Sequence, residues 1–351
     1  MMKSPIIFFI IIETINMKPT HKYITFAISI LLLAFCDIAM AQQPYFSFNQ
    51  SSGTLTLLYG NIDNEDDNVF YLGDTFYNKN KVTSISIDPS LRDYKPTSCE
   101  RWFDGFANAK SINGLENINT ENVTSMAYMF ENCQSIESLN LSGFDTHNVA
   151  TMHCMFRFCK NLKSLNLSNF NTSNVTTMHS MFSGCNALES VDVSSFDTRN
   201  ATILCYMFDN CFNLKQLDVS TFNTSKVTTM EYMFENCRRI TRLNLGNFDT
   251  KNVTNMKFMF NHCDKLRVVN IGSFDTQKVN NMNGMFRYCG NLRKLKLKNF
   301  NTQNVIDMEN MFFNCENIKK IRIGKGWNTS KVRNSQNMYS GCSKLIYIPK
   351  G

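Results

Sequence analysis

The chain has 351 residues, 43% of them hydrophobic, and a formal net charge of +7. The apolar fraction is ample for a core, and the charge, modest for this length, favours acidic partners weakly and says nothing about fold. Length alone would suit about two globular domains, but an internal repeat overrides that prior, because a solenoid grows in one dimension without a fixed size.

The first element in chain order is an export signal over residues 1–41. Lys18 and Lys22 precede an apolar run at 24–35, and the small-x-small site Ala39-Met40-Ala41 follows, the layout of a secretory leader. The run falls short of the ~20 residues of a membrane span, so no transmembrane span is expected in the mature chain. Met17 stands just before the basic stretch. Residues 1–16 therefore read either as an upstream extension from a misplaced start or as part of a long leader. Leu33-Ala34-Phe35-Cys36 resembles a lipoprotein box, yet Phe35 takes the place of a small residue, which argues against a lipid anchor at Cys36. The expected location is secreted or cell-surface.

Residues 43–98 read as a small N-terminal β cap. Alternating apolar residues at 46–49 and 54–59 flank Ser51-Ser52-Gly53, which is a β-hairpin pattern. An acidic, polar loop at 61–68 follows, and 82–87 alternates again. A solenoid end exposes apolar surface and unpaired strand edges, so it needs such a cover.

Residues 99–351 carry the repeat. Met129-Phe130-Glu131-Asn132-Cys133 returns in varied form with its cysteine at Cys159, Cys185, Cys211, Cys237, Cys263, Cys289 and Cys315, each step 26 residues, and an altered copy ends at Cys342 after 27. A fixed period in this range marks a solenoid, here of about nine repeats and a C-terminal half-repeat. The first copy, Trp102-Phe103-Asp104-Gly105-Phe106, is irregular and suits a terminal position. After Cys133, the residues Ile136, Leu139 and Leu141 have the L-x-x-L-x-L spacing of a leucine-rich-repeat strand, with Leu139 and Leu141 on one face. Phe144 re-enters the core after a turn. Val149, Met152, Met155, Phe156 and Cys159 then recur every three or four residues, which predicts a short helical turn at 155–159. The β-branched stretch 149–152 reads either as helical or as a short extended segment. The fold class is thus a leucine-rich-repeat solenoid of α/β type, with short parallel strands and short helical turns.

The repeated columns read as structure before function. Asp, Asn and Thr after each Phe144-type residue bond the turning backbone, and the methionines fill the core. One cysteine per repeat in one register stacks Cys133, Cys159, Cys185, Cys211, Cys237, Cys263, Cys289 and Cys315 into a buried structural ladder. A disulfide framework would space its cysteines irregularly, although neighbouring rungs here lie within disulfide reach. Cys99, Cys154 and Cys205 are strays. No C-x₂₋₄-C pairs recur with histidine, so no metal is expected, and no cofactor is implied.

The unit Cys159-x-x-Leu162-x-x-Leu165-x-Leu167-Ser168-x-Phe170-Asn171-Thr172-x-x-Val175-Thr176-x-Met178-x-x-Met181-Phe182 resembles the BspA-like leucine-rich repeats of bacterial surface proteins, in the Bacteroidetes and mycoplasma subtype. The resemblance covers about residues 99–346, and the hairpin with Pro96-Thr97-Ser98 and Trp102-Phe103 looks like that family's N-terminal cap. Ala201, Leu204 and Ser335 depart from the pattern. The resemblance implies a secreted or surface-attached adhesion or interaction protein and names no ligand.

A partner is expected on the strand face, where residues between the inward apolar positions point out. One such column runs Asn140, Asn166, Asp192, Asp218, Asn244, Asn270, Lys296, Arg322. Late repeats are basic there, and with strands ~4.8 Å apart Arg242, Arg267, Arg293, Lys294, Lys296, Lys319, Lys320 and Arg322 would form one continuous patch. An anionic glycan or an acidic protein is the expected partner. The alternative is a solvated face on a structural or immune-facing coat protein without a specific ligand. Nucleic acid is not expected, since aromatic residues do not interleave the cations. The catalytic alternative is remote: His147, His153, His179 and His262 read as scattered over different slots, and no nucleophile elbow, phosphate loop or H-E-x-x-H is present.

Overall fold

The computed structural model describes residues 42–61 and 68–347. The export signal and the Glu65-Asp66-Asp67 acidic run lie outside these residues. The chain opens with β1 (Gln43–Asn49) and β2 (Thr54–Gly60), an antiparallel hairpin. Phe46, Phe48, Leu55 and Leu57 alternate inward and are buried. Gly53 turns the hairpin at φ 69°, and a Cβ there would stand 2.7 Å from the Thr83 hydroxyl, so the tight turn requires glycine. β3 (Val69–Tyr71) pairs antiparallel with β1. β4 (Ser84–Ile87) pairs parallel with β2, and β5 (Ile112–Asn113) pairs parallel with β4. The five-stranded sheet, in the order β3-β1-β2-β4-β5, therefore leads from hairpin into coil. One apolar cluster runs without a break from Phe46 to Met338.

The coils stack through two ladders. On the strand side, β6 (Ser164–Asn166) pairs with β7 (Ser190–Asp192), β8 (Arg242–Asn244) with β9 (Val268–Asn270), and β10 (Lys294–Leu297) with β11 (Lys320–Ile323), all parallel. The rung at 216–218 between β7 and β8 is unpaired, and an open groove of about 560 Å³ marks the interruption. The second ladder is a column of single bridges running Ser98, Ser125, Thr151, Thr177, Ile203, Thr229, Asn255, Asn281, Asp307 and Asn334. Of the two readings of 149–152, the extended one holds at Thr151.

The helical turn expected at 155–159 takes the form of overlapping three-residue turns, and no α-helix occurs among the described residues. The N–H groups of Met155, Arg157 and Cys159 return to the carbonyls of Met152, Cys154 and Phe156. Those of Cys154, Phe156 and Phe158 instead reach the next coil, at His179, Met181 and Ser183. Cys154 and Phe158 take φ of 56° and 60° to do so. Alternate N–H groups turn outward because the next coil offers a carbonyl to each, whereas a helix would spend them all internally.

Inside the coil, Phe130, Phe156, Phe182, Phe208, Phe234, Phe260, Phe286 and Phe312 stack at 5.3–5.9 Å between centroids, with planes within 11°. The eight ladder cysteines are fully buried. Each thiol donates to a phenylalanine carbonyl of the preceding coil, as Cys185 does to Phe156 at 3.1 Å and Cys315 to Phe286 at 3.0 Å. All the cysteines of the described residues are free thiols. Burial pushes those of Cys237 and Cys289, among others, well above the ordinary range. The threonine column joins coils in both directions: Thr198 Oγ1 donates to the Asn223 carbonyl at 2.9 Å and accepts from the Asn223 N–H at 2.7 Å.

Candidate functional site

All eight basic residues named above are exposed, and the apolar residues between them, Leu295 and Ile321, are buried. Pleating thus separates core from face at every second position. The register sets Lys294 directly beside Lys320 and Lys296 beside Arg322. Arg293 and Lys319 join this quartet one residue earlier, linked through the Lys319 N–H to the Arg293 carbonyl. Arg242 lies beside Val268 rather than beside a cation, and no ladder bonds join β9 to β10. The fold therefore brings Arg293, Lys294, Lys296, Lys319, Lys320 and Arg322 onto two bonded rungs, with Arg267 in the slot of Arg293 one coil earlier and Arg242 beside Val268.

Earlier rungs of the same face neutralise their charges. Lys163 pairs with Glu137 and Lys215 with Glu189, each at 2.6 Å across one rung. Among the described residues none of the eight basic side chains of the patch has an ion pair. Like charges directly opposite on neighbouring strands are destabilising.

The central column carries a second signal. Asn140, Asn166, Asp192, Asp218, Asn244 and Asn270 each accept a hydrogen bond from the N–H two residues on, at 2.9–3.3 Å. One side-chain oxygen of each is thereby committed to the turn that ends the strand. Bonds from Ser194 and Ser220 also hold the Asp192 and Asp218 carboxyls below the usual range. Lys296 and Arg322 occupy the same slot and cannot make this bond. The signal was legible as Asx followed two residues later by Ser or Gly, a pattern broken at Lys296.

The histidines are less scattered than the sequence reading had them. His153 and His179 occupy one slot on successive coils. His179 Nδ1 lies 2.9 Å from the stray Cys205 sulfur, and its Nε2 lies 3.2 Å from Ser180 Oγ. Burial pushes the Cys205 thiol up to about 12 and holds His179 below the usual imidazole range. His147 bonds Asp145 at 2.7 Å, and His262 stacks on Tyr288 at 4.2 Å. Among the described residues no three His, Cys, Asp or Glu side chains group closely enough to hold a metal ion.

The family model described as "Mycoplasma protein of unknown function, DUF285" matches residues 97–216, 183–269 and 262–347. The chain belongs to this family. No curated protein matches the chain. Among solved structures, a leucine-rich repeat protein from Bacteroides ovatus is 16% identical, with coverage of 86% of this chain and 92% of the other and a TM-score of 0.26. One from Eubacterium ventriosum is 15% identical, covering 88% and 95%, with a TM-score of 0.37. A leucine-rich cell surface protein from Faecalibacterium prausnitzii is 12% identical, covering 86% and 92%, with a TM-score of 0.29. Among the described residues no helix is long and apolar enough to cross a membrane.

Proposed function

We propose that this protein is an exported, surface-located interaction scaffold without catalysis, which binds an anionic partner through the late strand face of its solenoid. A sulfated glycan is the partner class the patch suits best. In this reading the hairpin is a cap, the cysteine column is scaffold, and the functional residues are Arg293, Lys294, Lys296, Lys319, Lys320 and Arg322, with Arg267 and Arg242 on the two coils before.

One observation carries the reading. At Lys296 and Arg322 the chain forgoes the turn-closing hydrogen bond of the six rungs before them and sets cation beside cation. Each such bond contributes about 1 kcal/mol, and the repulsion adds to that cost. A polyanion with charges one rung apart, ~4.8 Å, would offset both.

The test is retention on a heparin column. Reversing Lys294, Lys296, Lys320 and Arg322 to Glu should move elution from elevated salt to the flow-through. Unchanged retention would remove the patch as a binding site.

A second reading has its own support. β11 is the last strand of its ladder among the described residues, and lysines on an edge strand block pairing with other chains. The same chain would then be a coat protein with a guarded edge and no ligand.

A further inference from the structure

The cysteine ladder ends differently from the way it runs. From Cys133 to Cys315 every ladder thiol is fully buried, whereas Cys342, the last, is half-buried. It still holds the ladder position. The N–H groups of Phe312 and Asn314 reach the carbonyls of Met338 and Ser340 at 2.9 and 2.8 Å, which aligns the two coils. The Cys342 thiol donates to the Phe312 carbonyl at 3.0 Å, and the Cys315 N–H reaches the same oxygen at 3.1 Å. The two cysteines therefore stand on neighbouring rungs and share one acceptor. Rungs ~4.8 Å apart place in-register Cα atoms within the span of a disulfide. The earlier rungs share that spacing but not the exposure.

We propose that Cys342 and Cys315 form a thiol–disulfide exchange site at the C-terminal end of the solenoid, with Cys342 attacking an external low-molecular-weight disulfide and Cys315 resolving the product. The thiol of Cys315, and then its N–H, bond the Cys342 sulfur and hold that thiol below the usual range, against burial. The same contact, and then burial, push Cys315 well up. An accessible, low-pKa thiol beside a second thiol is the arrangement of a reactive cysteine with its resolving partner. Cys342 thiolate attacks one sulfur of the external disulfide, whose S–S bond breaks and releases a thiolate. Cys315 gives its proton to that thiolate and attacks the Cys342 sulfur, which forms the Cys315–Cys342 bond and releases the second thiol. Two protein thiols are oxidised and one external disulfide is reduced. The bond closes a loop that contains β11 and ties down the last coil. This site is separate from the basic face and does not depend on the anionic partner.

The probe is oxidised glutathione, added to the reduced full chain and followed by intact mass and peptide mapping. A glutathione adduct should appear on Cys342 at least about tenfold faster than on any buried ladder cysteine. It should then give way to a chain lighter by two hydrogens with Cys315 and Cys342 joined. Cys315→Ala should stop at the adduct. In the oxidised chain, trypsin should release the last coil at least about tenfold more slowly, and dithiothreitol should reverse this. The assignment is overturned if Cys342 reacts no faster than the buried cysteines, if its adduct persists in the unmodified chain, or if Cys342 joins any sulfur of the protein other than Cys315.

Discussion

At the scale of single residues, the columns that look most like ligand sites serve the backbone. Thr198 is buried and closes both an N–H and a C=O of the neighbouring coil. Thr198→Val keeps the shape and removes both bonds, leaving a buried donor and acceptor unpaired. The expected loss is about 2–4 kcal/mol in urea unfolding, with Thr198→Ser close to the parent chain. The cysteines from Cys159 to Cys315 work in a similar way, each as a weak donor to a carbonyl that already accepts one turn bond. Thus Phe182 O takes the Cys185 N–H at 3.1 Å and the Cys211 thiol at 3.3 Å. A small buried thiol fits that slot because it fills volume and still donates.

At the scale of the element, the turn side couples neighbouring coils through side chains in left-handed slots. Phe258 lies across the next coil so closely that a Cβ at Gly284 would meet its ring at 2.1 Å, and Gly184 bears the same relation to Phe158 at 2.4 Å. Gly284→Ala should therefore cost about 1–3 kcal/mol through overpacking and displace the Phe258 ring. Gly290→Ala, where nothing lies within 4 Å, provides the control.

The same side stacks Asp209 one coil from Glu235. Burial first, and then the Glu235 charge, push Asp209 up from 3.8 to about 7, against bonds from Ser183 and Asn210 that lower it. Glu235 is raised as well, chiefly by burial. The folded state therefore binds more protons than the unfolded one between these values, so this pair's contribution to stability falls as pH rises from about 4 through about 7. Urea midpoints should drop by an amount equivalent to a few kcal/mol at most over that window. Asp209→Asn should flatten the slope, and an unchanged slope in that variant would exclude the pair as its source.

At the scale of the whole molecule, the two ends differ. The N-terminal end continues into a five-stranded sheet, whereas β11, with Lys320 and Arg322 on it, is the last strand of its ladder among the described residues, and the Ile346 N–H bonds the Lys319 carbonyl one coil on. The two readings of that charge make different predictions. Replacing Lys319, Lys320 and Arg322 by Thr or Gln should abolish heparin retention under the binding reading and leave a monomer in light scattering. Under the edge-guarding reading the same variant should associate with increasing concentration, because an uncharged, β-branched edge invites pairing.

The solenoid was legible in the sequence because one period recurs, and every rung buries the same Phe, Met and Cys positions. The hairpin was legible from the alternation around Gly53. The turn train was not, because a spacing of three or four residues fits a helix equally well. Only the neighbouring coil's carbonyls decide where Cys154 and Phe158 send their N–H groups.

The candidate site divides in the same way. Which residues lie outward, and that the late ones are basic, followed from alternation alone. That Asn244 and Asn270 are committed to a turn, that Arg242 stands beside Val268, and that Lys294 and Lys296 sit squarely against Lys320 and Arg322 depended on register and hydrogen-bond geometry. Sequence by itself determined the period and the inward face, because burial repeats with the chain. Tertiary structure decided which charges meet, because that depends on where residues a full coil apart are brought side by side.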